Sequence, residues 1–169
     1  MSSASLPIFT TALGNLGHIL DKAQSFVDAK KIDPNALTQY RLAPDMLPFT
    51  RQVLIACDAA KNAIARLSGE AAPKFDDVET TLPELKLRVQ KTLDYLGGVD
   101  PSKVDGSEDK EIVIPVGRDG TTMTMKGEAY LKHWAIPNMY FHVTTAYAIL
   151  RHNGVELGKA DFLQGAHKL

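Results

Sequence analysis

The chain has 169 residues, 44% of them hydrophobic, with 19 basic and 20 acidic side chains and a formal net charge of −1. That size suits one domain with one core, spanning 1–169. No run of Lys and Arg is long enough to track a phosphate backbone, which argues against a nucleic-acid partner. A lone cysteine, Cys57, excludes an intramolecular disulfide, and the absence of a signal-peptide pattern or a bilayer-length apolar run makes a cytoplasmic protein with no membrane partner the expectation.

Phe9, Leu13, Leu16, Leu20, Ala23 and Val27 recur every three or four residues. They predict a helix from about Pro7 to Lys30, broken by Ile32-Asp33-Pro34. A second helix is expected after the loop Tyr40–Pro44, with Asp45 as N-cap, Pro48 in its first turn and Ser68-Gly69 at its end. Its stripe is Phe49, Val53, Ala56 or Cys57, Ala60, Ile64 and Leu67. Thr81-Leu82-Pro83-Glu84 is a capping box for a third helix, whose face is Leu85, Val89, Leu93 and Leu96 and whose stop is Gly97-Gly98.

The pattern then changes. Glu111–Val116 and Thr121–Lys126 are β-prone arms around Gly117–Gly120, which contains Asp-Gly and predicts a hairpin. Met123 and Met125 share one strand face and should pack on the helices. A short helix is expected from about Gly127 to Trp134. Pro137 then opens a fourth long helix, with Asn153-Gly154 as its C-cap. The tail, Val155–Leu169, reads as extended and packed. The fold class is therefore all-α: a four-helix bundle with a small β-hairpin inserted before the last long helix.

No motif for a strong metal site is present. His142 and His152 are ten residues apart, about 280° around a helix, and cannot share an ion. His18, His133 and His167 lie in segments whose packing the sequence does not fix. A di-metal carboxylate bundle would need glutamates that the second helix lacks. Cys57, beside Asp58, reads as a buried, inert thiol, and Gly154–Lys159 as a turn, not a phosphate loop. What remains is a polar set at helix starts. Asp45, Arg51 and Gln52 come from the second helix, and Asn138, His142 and Thr145 from the fourth. The last three follow i, i+4, i+7 spacing on one expected face. Polar groups set in apolar walls are how bundles build small-molecule sites.

Three stretches resemble a known family: Arg41-Leu-Ala-Pro-Asp-Met-Leu-Pro48, Gln52-Val-x-x-Ala-Cys-Asp58, and Phe141-His-Val-Thr-Thr-Ala-Tyr-Ala-Ile-Leu-Arg-His-Asn-Gly154 followed by Leu157-Gly-Lys159. They are similar to a domain-of-unknown-function family within the DinB/YfiT-like four-helix-bundle superfamily. The resemblance implies a bundle with a long crossover and a homodimer. It also implies a divalent-metal site of three histidines, one on the second helix and an HxxxH on the fourth. Carried over by position, these fall at Gln52, His142 and Ala146, so two of the three ligands are missing and the metal site is expected to be degenerate.

The leading expectation is a bundle that binds a small organic ligand in a pocket between helices, with no cofactor. His142 is its candidate acid or base. Asp45, Arg51, Gln52, Asn138 and Thr145 are its candidate ligand-binding residues, with Asp45 and Arg51 alternatively forming a structural salt bridge. The alternatives are a metal-dependent enzyme, transferase- or hydrolase-like, with a non-standard ligand set, and a non-catalytic dimerisation module. Whether any reaction is catalysed stays open at this stage.

Overall fold

A computed structural model describes residues 1–117 and 119–164. Four long helices form the bundle: α1 (Leu6–Lys30), α3 (Phe49–Ser68), α4 (Leu82–Gly97) and α7 (Ile136–His152). Shorter elements join them. These are α2 (Asn35–Thr38), α5 (Pro101–Val104), strands β1 (Glu111–Pro115) and β2 (Thr122–Lys126), α6 (Gly127–Tyr130) and, after α7, α8 (Lys159–Phe162). Helix α1 packs on α4, α4 on α3, α3 on α7 and α7 on α1. The consecutive long helices α1 and α3 are thus diagonal, as are α4 and α7, and the chain crosses the bundle twice. The core includes Phe9, Leu13, Leu16 and Leu20 of α1, Phe49, Val53, Ala60 and Ile64 of α3, and Met139, Ala146 and Ile149 of α7. These largely coincide with the stripes read from the sequence.

Local chemistry explains most boundaries. Helix α1 ends with Lys31 in the left-handed region at φ 55°, and Ile32 N–H reaches back to Val27 O over 3.1 Å. Thr81 and Glu84 form the expected capping box: Thr81 N–H donates to Glu84 Oε2 at 2.9 Å, and Glu84 N–H to Thr81 Oγ1 at 3.4 Å. Helix α3 departs from expectation. It begins at Phe49, with Pro48 as the N-cap and no side-chain cap, so Asp45 is an exposed loop residue and not a cap. Phe49 N–H is taken up by Tyr40 O at 2.9 Å, so tertiary structure does what the cap was expected to do.

The hairpin forms with Glu111 opposite Lys126 and Pro115 opposite Thr122. Ile112 and Ile114 are buried, and Met123 and Met125 pack on the core from the facing strand. The hairpin leads straight into a helix at Gly127. A Cβ there would lie 1.9 Å from Ser107 O, so only glycine permits this close backbone approach.

Two expectations fail after Gly127. The short helix and the last long helix are one continuous helix from Gly127 to His152, because Tyr130, Leu131, Ala135 and Ile136 at the junctions are all right-handed helical. Pro137 therefore does not open a helix. The join is a π-helical segment, Leu131–Ala135, in which Ile136 N–H donates to Leu131 O. A proline inside an α-helix lacks an N–H and clashes with a carbonyl one turn back, at a cost of roughly 3 kcal/mol or more. The wider turn relieves that conflict just before Pro137. In the tail, Lys159–Phe162 forms a helical turn where an extended run was expected, with Asp161 accepting from Gly158 N–H at 2.8 Å. His167 and the end of the tail lie outside the described residues. Among the described residues no helix is long and apolar enough to cross a membrane.

Candidate functional site

Helices α3 and α7 run antiparallel, and their seam carries the first candidate pair. Gln52 is 2% exposed and His142 is 9% exposed. Gln52 Nε2 donates to Leu47 O at 2.9 Å, which orients the amide and leaves Oε1 as an acceptor. His142 Nδ1 lies 2.7 Å from that oxygen. Nδ1 must therefore carry the proton, and Nε2 holds a lone pair. Burial pushes the His142 pKa below its ordinary value of 6.5, so the ring is neutral at pH 7.

The positions that the resemblance assigns to metal ligands are thus taken. One imidazole nitrogen is bonded to an amide, the amide oxygen is a hard ligand already in use, and Ala146 is buried in the core with nothing to donate. Among the described residues no group of three or more His, Cys, Asp or Glu could hold an ion. These side chains do not fit a three-histidine metal centre. The other histidines lie elsewhere: His18 beside Asp161 at 3.1 Å, His152 against the Tyr40 ring at 5.7 Å, and His133 exposed on the π segment.

The remaining candidates disperse. Arg51 does not pair with Asp45; its Nη1 donates to Asp77 Oδ2 at 2.5 Å. Thr145 borders a shallow apolar groove of about 390 Å³ with Leu42, Tyr140 and Phe141, and its hydroxyl donates to Phe141 O at 2.7 Å. Asn138 lines a different depression. The i, i+4, i+7 face is therefore split between a groove, a buried pair and a cleft. Cys57 is buried as expected, and its thiol is pushed up to about 12, chiefly by that burial.

The cleft at Asn138 lies between α3, β1 and the π segment, with a volume of about 200 Å³. Asp58, Asn62 and Arg66 enter from α3, spaced four residues apart on one face, opposite Asn138 and Tyr130. Ile55, Ile114, Pro115 and Trp134 supply apolar wall. Arg66 Nη1 donates to Tyr130 Oη at 3.1 Å. Among the described residues the half-buried side-chain amides of Asn62 and Asn138 have no hydrogen-bond partner in the protein. The sequence reading passed over Asn62 and Arg66. Their four-residue spacing after Asp58 was the available signal, but it reads equally well as a solvated stripe until β1 covers it.

A second polar cluster also went unread. Arg88 of α4 is 1% exposed and donates to Asp77 at 2.8 Å, to Glu79 at 3.0 Å and to Asp76 O at 2.9 Å. Phe75 lies against both Arg88 and Lys61, with the charges 5.1 and 4.7 Å from its ring centre. This cluster pins the extended 70–81 segment onto the bundle.

Residues 1–163 match the family described as domain of unknown function DUF1993. The chain belongs to the DUF1993 family. This DUF1993 chain is also similar to the crystal structure of a DinB family member protein from Shewanella denitrificans, at 43% identity and a TM-score of 0.88, over 96% of this chain and 90% of that one. The fold is accordingly that of the DinB-like bundles. Comparison with curated proteins finds no match for the DUF1993 chain.

Proposed function

We propose that this DUF1993 protein binds a small organic molecule without a metal ion, in the cleft between α3, β1 and the Gly127–His152 helix. The observation that carries the reading is that two half-buried amides, Asn62 and Asn138, with no protein hydrogen-bond partner among the described residues, line the same cleft as Arg66 and its apolar walls. Few convergent polar groups in an apolar hollow are the usual composition of a small-molecule site. The π segment supports the choice, because such segments cluster at functional sites. Gln52 and His142 lie about one helical turn further along the same seam. A bound molecule that reaches His142 Nε2 meets a proton acceptor at neutral pH, not an acid.

The test is a fragment screen read by the side-chain amide signals of Asn62 and Asn138, run in the presence of a chelator. Saturable perturbation of those signals is the expected result. Fragments that leave them unmoved, or that bind only once a divalent ion is added, would contradict the reading. A homodimer is a second, compatible reading. Leu42 and Phe141 are 45% and 56% exposed at the groove beside Thr145, and self-association would cover them. Sedimentation equilibrium giving only monomer at micromolar concentration would reject it.

A further inference from the structure

Resting on that reading, we infer that the cleft takes an organic anion, a small flat carboxylate, with Arg66 as its charge partner. The charge inventory points this way. Among the described residues every other buried or half-buried Lys and Arg has a carboxylate within 4 Å: Lys22, Arg51, Lys61 and Arg88. Arg66, half-buried at the cleft, has none; its Nη1 donates to the Tyr130 hydroxyl at 3.1 Å and its guanidinium lies 5.9 Å from the Tyr130 ring centre. The carboxylates near it are committed elsewhere. Asp58, two turns away on α3, lies 2.9 Å from Lys61 Nζ and 3.5 Å from Arg88. Glu70 and Glu111, in the hollow on the other side of Arg66, pair with Lys103 at 2.5 Å and Lys126 at 3.7 Å. A partly desolvated cation without a counter-charge favours an anion, and a guanidinium has five N–H donors in a fork that matches a carboxylate.

The Tyr130 contact steadies the guanidinium while leaving most of those donors free. Burial pushes the Tyr130 pKa up against the opposing effect of Arg66, so its hydroxyl stays protonated and is a second donor. Asn62 and Asn138 add donors that a carboxylate can accept. Trp134 and Pro115 present flat apolar faces to the rest of the molecule. At about 200 Å³ the cleft is smaller than the roughly 300–1,000 Å³ typical of drug-sized ligands, so one ring with one carboxylate is the matching size.

Trp134 is the only tryptophan in the chain, so intrinsic fluorescence reads this cleft directly. The experiment is a titration of the full-length protein with benzoate, benzamide and benzylamine, which keep the ring and change the charge. Benzoate is expected to give a saturable change, with affinity about tenfold or more above that of benzamide. Arg66→Gln should weaken benzoate by a similar factor. Asn62→Asp, which sets a carboxylate four residues before Arg66 as an internal counter-charge and repels a bound anion, should do the same without a change in melting temperature large enough to signal misfolding. Benzamide or benzylamine binding as well as benzoate would overturn the anion assignment and leave the cleft reading standing. No response to any of the three probes would overturn both.

Discussion

The seam between α3 and α4 is built from charge, whereas the seam between α3 and α7 is built from a neutral pair, and the two are buried in the same bundle. In the first, Arg51, Lys61 and Arg88 face Asp58, Asp77 and Glu79. Burial disfavours the Arg88 charge, but Glu79, Asp58 and Asp77 outweigh it and push its pKa up. Satisfaction is incomplete even so. Among the described residues Arg88 Nε and Glu79 Oε2 have no hydrogen-bond partner, and Asp58 Oδ1 lies close to Lys61 Nζ without hydrogen-bond alignment. In the second seam Gln52 and His142 satisfy each other and Leu47 O with no net charge. The difference concerns what each seam tolerates. The charge cluster is costly to break from one side, because Glu79 stays largely buried and Asp58 and Asp77 are only about a third exposed. A neutral pair is costly to break singly but cheap to remove whole.

The largest expected effect lies in the charged seam. Arg88→Met should lower stability by about 3–5 kcal/mol, since Asp77 and Glu79 lose their buried counter-charge; urea unfolding checks it, and a loss below about 1 kcal/mol would mean that water already reaches the cluster. Next comes Gln52→Leu, which leaves Nδ1–H of His142 without its acceptor and should cost about 1–3 kcal/mol. Adding His142→Phe to that variant should recover most of the loss, to within about 1 kcal/mol of wild type. A double variant as unstable as the single one would show that the pair is not an exchangeable neutral unit.

The smallest effect is in pH. Burial holds the folded-state pKa of His142 below the unfolded value of about 6.5. Its stabilising contribution is therefore fully present above that value and declines as the pH falls below it. Wild-type stability should fall between pH 7 and pH 5 more steeply than that of His142→Phe, and equal slopes would contradict the buried neutral ring. At lower pH the charged seam responds in the same direction. Burial acts to raise the Asp77 pKa, but hydrogen bonds from Arg51 and Arg88 win and lower it below 3.8. That contribution is lost only as the pH falls through the lowered value.

Local signals were legible in the sequence and tertiary ones were not. The capping box at Thr81 and Glu84, the hairpin around Asp119-Gly120 and the core stripe of α1 depend on neighbours within a few residues, and the structure has them all. Pro137 misled because its N1 preference is a rule about helix starts, while here a π segment lets one helix run through it. Arg88 was passed over because a charged residue beside Leu85 and Val89 normally faces water; it is buried here because the 70–81 segment folds over it carrying Asp77 and Glu79. The Gln52–His142 pair was half legible. The resemblance singled out both positions, but that they bond to each other is a fact of helix packing. Arg66 became noticeable only once every other buried or half-buried cation among the described residues could be paired and this one could not.

At the seam, Gln52 and His142, where the family resemblance would put metal ligands, form a neutral hydrogen-bonded pair. This pairing is tested most directly by a long-range ¹H–¹⁵N spectrum of the His142 imidazole, recorded at pH 7 with and without equimolar Zn²⁺. The expected result is a neutral ring protonated at Nδ1, with signals that do not move when zinc is added. A ring protonated at Nε2, or signals that shift stoichiometrically with zinc, would contradict it.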